Sequence, residues 1–140
     1  MINKSFMENL KESNSSVSEL VDSTIDSAIE SISKNLLEYR IAMLEALASH
    51  SDTSFTKNIA SDKKSLEILE QGQKVEIEPT FSDEATEENS YCALLVDRKL
   101  LESANVILEG TRKDDPFLGL AIIHAVRVVF SNFTVERTFP

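Results

Sequence analysis

Glycine and proline are scarce in this 140-residue chain, three of each. That scarcity argues against β-sandwiches and barrels, whose many short strands need frequent Gly- and Pro-rich turns. Cys92 is the single cysteine, so one chain can form neither an internal disulfide nor a thiolate metal cluster, which fits a reducing compartment. Basic residues number 14 against 24 acidic ones, for a formal charge of −10. A general binder of nucleic acid or of an anionic membrane needs clustered Lys and Arg, so neither direct nucleic-acid nor membrane contact is expected, and a basic protein partner is favoured. Nowhere does the chain run apolar for the ~18 residues that a membrane-spanning helix requires. The stretch from Met1 to Lys11 carries Lys4, Glu8 and Lys11 and lacks the unbroken apolar core of a secretory signal. A cytoplasmic protein is the expectation, and the triplets at Asn3, Asn14 and Asn132 then have no glycosylation role.

Motifs that carry chemistry are also missing. There is no pair of His four apart, no Glu with His three residues on, and no phosphate-loop or dinucleotide glycine pattern. No metal and no cofactor are expected. Cys92, His50 and His124 are the residues that could support nucleophilic catalysis, but no glycine-rich turn exposes Cys92 or builds an oxyanion hole. The residues around it suggest burial, and His124 sits in the most apolar stretch, as a core histidine would. The expectation is a protein without enzymatic activity, with a small enzyme using Cys92 or His124 as one alternative.

What the chain does contain is helix. A composition 41% hydrophobic and 27% charged is that of a globular domain, and the length suits one domain with its own core. We expect a loose N-terminal arm over residues 1–16 and a single globular domain over 17–140. The arm holds a short helical stretch at 2–12, interrupted by Ser13, Asn14, Ser15 and Ser16, whose side chains favour caps and turns. Ser16 or Ser18 would cap the long helix that follows.

From Val17 to Ala48, apolar residues recur at Val21, Ile25, Ala28, Ile29, Ile32, Leu36, Tyr39, Met43 and Leu47, in the steps of three and four that make one helical stripe. Leu37, Ile41 and Leu44 add a neighbouring stripe, so the second half of this helix needs at least two neighbours, one of which could be a second copy. A short turn at His50 to Asp52 leads to a returning helix with Phe55, Ile59, Leu66 and Leu69, ended by Gly72. The period then falls to two at Lys74 to Phe81, an amphipathic strand with Val75, Ile77 and Phe81 facing inward and Pro79 marking a sheet edge.

Glu76, Glu78, Asp83, Glu84, Glu87 and Glu88 form the strongest local charge feature, six carboxylates with no basic residue among them. They suit both a soluble strand edge and the positive start of a following helix. That helix would bury Ala93, Val96, Leu100, Ala104 and Ile107, flanked by Leu94, Leu101 and Leu108, and end at Gly110. A rival parse makes Tyr91 to Val96 a strand. Asp115 and Pro116 mark the last helix start, as N-cap and first helical residue. The body Phe117 to Phe130 reads as a central core helix, although its β-branched residues would also suit a strand turning at Ser131 and Asn132. Phe133, Val135 and Phe139 repeat the alternating pattern, and this segment is expected to pair with residues 74–81.

The fold expected is therefore α+β and mainly α: a helical bundle around a long amphipathic helix with a small two-stranded antiparallel ribbon. The function expected is a non-catalytic, acidic interaction or regulatory module, with a homodimer as one possible form. Leu37, Ile41 and Leu44, together with Glu76, Glu78, Glu84, Glu87 and Glu88, are the candidate partner-binding residues. A secretion chaperone or immunity-type inhibitor holding one basic partner is the nearest alternative.

Overall fold

A computed structural model describes residues 4–50 and 53–133, with the backbone alone described for residues 4–18 and 21. It contains four helices, α1 (Lys4–His50), α2 (Thr56–Glu70), α3 (Glu87–Asp114) and α4 (Pro116–Val129), and no strand among the described residues. The expected two-stranded ribbon is therefore absent from them, and both rival strand parses, Tyr91 to Val96 and the body from Phe117, are helical, with α4 ending at Val129 and Phe130 as its C-cap.

Helix α1 runs 47 residues, about 70 Å at 1.5 Å per residue. It passes through Ser13 to Ser16 without a break, so the expected interruption and the caps at Ser16 and Ser18 do not occur. Weak intrinsic propensity there is outweighed by the cooperativity of a helix already propagating on both sides. The buried side of α1 is Ala28, Ile32, Ser33, Leu36, Leu37, Arg40 and Leu44. Both expected stripes thus contribute to the interior.

The main core joins Ala28, Ile32, Leu36 and Leu37 of α1 to Leu69 of α2, Ile77 of the following connection, Leu100 and Ala104 of α3, and Ile122, Ala125 and Val129 of α4 with Phe130 at its C-cap. A second, smaller cluster joins Leu44, Phe55, Ala93 and Val96 near the end of α1. Helix α2 folds back on α1 and stops at Gly72, whose φ of 79° lies in the left-handed region that favours glycine. Its first turn has no cap from Phe55. Asp83 caps it from across the fold, accepting hydrogen bonds from Lys57 N at 3.0 Å and Ser54 Oγ at 2.8 Å.

The segment from Lys74 to Phe81 is extended, and part of its expected alternation holds. Ile77 and Thr80 are buried, Val75 is half-buried, and Glu76 and Glu78 are exposed, although Phe81 points outward at 40% exposure. It forms no ladder because side chains take the place of a partner strand. Arg40 Nη1 donates to the Glu78 carbonyl at 2.6 Å, Thr80 N donates to Asp97 Oδ1 at 3.0 Å, and Phe81 N donates to Asn58 Oδ1 at 2.7 Å. Arg40 also holds Asp62 in a two-pronged ion pair, both bonds 2.7 Å, with each side chain 3% exposed. Thr80 Oγ1 donates to Asp97 as well. Three helices thus pin one extended segment through a buried polar cluster, satisfying backbone groups that would be costly to bury alone. The proposed partner strand begins with Phe133, which packs edge-on against Phe130 with ring centroids 4.9 Å apart. Residues 134–140 lie outside the described residues.

Helix α3 starts with Thr86 as N-cap, its side chain accepting from Asn89 N at 3.1 Å. It continues past Gly110 to Asp114, because Arg112 and Lys113 suit the negative helix end and the chain is stopped instead by the Asp115–Pro116 pair. Asp115 then caps α4, accepting from Phe117 N and Leu118 N, both at 3.1 Å. Helix α4 is not the all-round core helix expected. Gly119, Ala121, Ile122, Ala125 and Val129 are buried, while Phe117, Leu120 and Val128 are 48%, 68% and 44% exposed.

Candidate functional site

The C-terminal turns of α1 present Met43, Ala46, Leu47 and His50, a 3-1-3 spacing that places all four on one side of the helix. The N-terminal turns of α3 present Cys92, Leu95, Val96 and Lys99 with the same spacing. Together these eight residues line an open groove of about 520 Å³ whose wall is almost wholly apolar. Met43, Leu47 and Cys92 of its wall pack against the small cluster of Leu44, Phe55, Ala93 and Val96, of which Val96 also lines the groove. Leu95 remains 41% exposed, and Tyr91, one turn earlier on the same side of α3, is 63% exposed. Helix α2 leaves this side of α1 uncovered because it folds back along the side that carries Leu37, Arg40 and Leu44, fixed there by Asp62.

Polar groups sit at the margins. Lys99 Nζ pairs with Glu102 Oε2 at 3.2 Å on the same helix, both side chains well exposed, so this pair contributes little to stability. Glu88 precedes Cys92 by one helical turn, and Glu84 and Glu87 flank the same helix start, all three exposed. None of the three lines the groove, and Glu88 is the one that shares the helix side of Cys92. Asp83, just upstream, is held below the usual carboxylate range by the backbone amide of Lys57 and then the hydroxyl of Ser54, since hydrogen bonds donated to the charged form favour it.

Of the residues expected to meet a partner, Leu37 and Leu44 are 1% and 0% exposed and belong to the interior, while Ile41 is half-buried. The apolar surface that α1 leaves open is the adjacent one, through Met43, Ala46 and Leu47. Glu76 and Glu78 face outward from the extended segment, and Glu78 Oε1 accepts from Asn132 Nδ2 at 3.2 Å. The structure thus separates these two acids from Glu84, Glu87 and Glu88, which gather at the start of α3. Cys92 and His50 share the groove. His124 is exposed on α4, not a core histidine: the helix turns Ala121, Ile122, Ala125 and Val129 inward, and His124 falls on the outer side beside Leu120 and Val128. Among the described residues, no three His, Cys, Asp or Glu side chains are grouped so as to hold a metal ion, and no helix is long and apolar enough to cross a membrane.

Comparison with protein-family models, with curated proteins and with solved structures yields no match.

Sequence reasoning passed over two features that spacing could have revealed. Arg40 and Asp97 each sit inside an apolar stripe, Leu36-Leu37-Arg40-Leu44 and Ala93-Val96-Asp97-Leu100, which is the signature of a charge that must be paired inside. The matching 3-1-3 sets on α1 and α3 were likewise visible, but only the antiparallel packing of the two helices makes one groove of them.

Proposed function

We propose that this chain is a non-catalytic interaction module that receives an amphipathic, basic helical segment of a protein partner in the groove between α1 and α3. The observation that carries this reading is the groove itself: an open, almost entirely apolar channel between two helices, of the kind that takes the apolar face of a third. The charge of −10 and the acids Glu84, Glu87 and Glu88 around the start of α3 favour a partner with Lys or Arg flanking its apolar residues, through faster and more selective encounter. The same charge weighs against a second copy in the groove, since two such chains repel.

Leu95→Asp and Leu47→Glu place a charge on the lip and wall of the groove. Both variants should keep the helical circular dichroism of the parent. The partner recovered with the parent chain should be lost from both, and its contact segment, mapped by cross-linking, should be an amphipathic helix with basic flanks. A partner that binds the parent and both folded variants equally refutes this use of the groove. Light scattering that reports a dimer dissociated by Leu95→Asp would assign the groove to a second copy instead.

A further inference from the structure

Towards the other end of α1, a cleft of about 480 Å³ opens between that helix and the turn leaving α2. Glu19, Asp22, Asp26 and Glu30 follow one another along α1 at steps of three and four, all exposed and all lining this cleft. Lys74 reaches across and sets its ammonium on Asp26 Oδ1 at 3.1 Å, and among the described residues it is the one basic residue in the lining. Among the described residues of the lining, Glu19, Asp22 and Glu30 are left without a cation, the nearest on the same helix being Lys34, one turn beyond Glu30 and outside the cleft. The C-terminal end of α2 also borders the cleft, and its partial negative charge adds to theirs. Deeper in, Ser33 lines the same cleft while 1% exposed, and its Oγ has no hydrogen-bond partner among the described residues. A buried hydroxyl without a partner, set beneath a line of carboxylates, is a group prepared to accept from a donor that enters from outside.

We propose that this cleft binds an aliphatic oligoamine. A compact metal ion does not suit it, since the carboxylates are strung along the helix and no three acidic groups among the described residues converge on one point. An extended cation does. Side chains three and four apart on a helix stand about 5–6 Å from each other, which is the spacing of ammonium groups joined by three or four methylenes. From Glu19 to Glu30 the line covers roughly 16 Å at the helical rise, the reach of a linear tetraamine. Lys74 on Asp26 is an alkylammonium already held in the manner proposed. Ser33 accepts from the amine seated deepest, while Ile29, Leu69 and Val75 in the same lining cover methylenes. This site is independent of the groove at the other end of α1.

Spermine is the probe, titrated calorimetrically into four forms of the whole chain: the parent, Asp22→Asn with Glu30→Gln, Ser33→Ala, and a control with Glu102→Gln and Glu109→Gln. The control removes the same charge from the surface of α3. The cleft pair should weaken binding roughly tenfold, and the control by less than about twofold at physiological salt. Ser33→Ala should weaken it several-fold with no change in net charge. Equal weakening by the control pair, unchanged binding in Ser33→Ala, or no binding to the parent overturns the proposal. So does a tetralysine peptide that binds the parent more tightly than spermine, which would make the cleft a protein-docking surface.

Discussion

Removing Arg40 should be among the most damaging single substitutions in this chain, and the geometry says by how much. Its guanidinium makes two 2.7 Å bonds to Asp62 and one of 2.6 Å to the Glu78 carbonyl, with both charged side chains 3% exposed. Arg40→Met fills a similar volume but leaves a buried carboxylate without its counter-charge, a defect that typically costs about 3–5 kcal/mol. For a domain of this size, whose urea m-value is about 2 kcal/mol/M, that moves the unfolding midpoint down by about 2 M. The double variant, Arg40→Met with Asp62→Leu, removes both charges, and buried ion pairs replaced as a whole by apolar residues are often close to neutral. What it still lacks is a donor for the Glu78 carbonyl, worth about 1–3 kcal/mol. The double variant should therefore recover a large part of the loss yet stay below the parent. Urea titration followed by far-UV circular dichroism measures all three. If Arg40→Met costs under about 1 kcal/mol, or the double variant is no better than the single one, the pair is not the buried clamp described here.

Asp83 and two glycines supply further tests. Because the folded chain holds Asp83 below its ordinary value of 3.8, its contribution is present above that pH and fades as pH falls through the lowered value. Asp83→Ala should thus lower Tm by a constant amount at neutral pH, with the gap to the parent closing in strong acid; a gap that persists there refutes the cap across the fold. Gly110 lies inside α3, one turn before its end, with nothing within 4 Å of an added Cβ, so Gly110→Ala should stabilise by up to about 0.5–1 kcal/mol in the same titration. At Gly119 a Cβ would meet Arg112 Cγ at 2.7 Å and Arg112 Cα at 3.2 Å. Gly119→Ala should therefore fail to show that gain, and an equal gain at both positions would mean α3 and α4 are not in close contact there.

Some helix starts and stops were legible from local chemistry, although the caps expected at Ser16 and Ser18 lie inside α1 and the Thr86 cap of α3 was passed over. Gly72, the Asp115–Pro116 pair and the buried stripe from Ala93 to Ala104 all behave as their spacing predicts, because capping and helical periodicity act within a few residues. Gly110 misled because a glycine ends a helix only when the chain beyond it turns away. The alternation at Lys74 to Phe81 was also a true local signal, since Val75 and Ile77 do turn inward. It records a chain with one face on a core, and a strand and a side-chain-pinned extended segment share that record.

The sequence by itself determined the helical character, the long amphipathic α1, the acidic surface and which residues prefer the interior. Those follow from side-chain chemistry repeated at a helical period. Only the tertiary structure decided how the apolar stripes of α1 are shared. Asp62 on α2, Thr80 on the connection and Asp97 on α3 meet Arg40 or one another, and Asn58 on α2 accepts from Phe81 N of the connection, across 17 to 40 positions of sequence. That meeting draws Leu37 and Leu44 inside and leaves Met43, Ala46 and Leu47 facing Cys92, Leu95 and Val96 across an open groove. Which stripe is core and which is surface depends on how charges far apart in the chain are paired in space, and periodicity carries no information about that pairing.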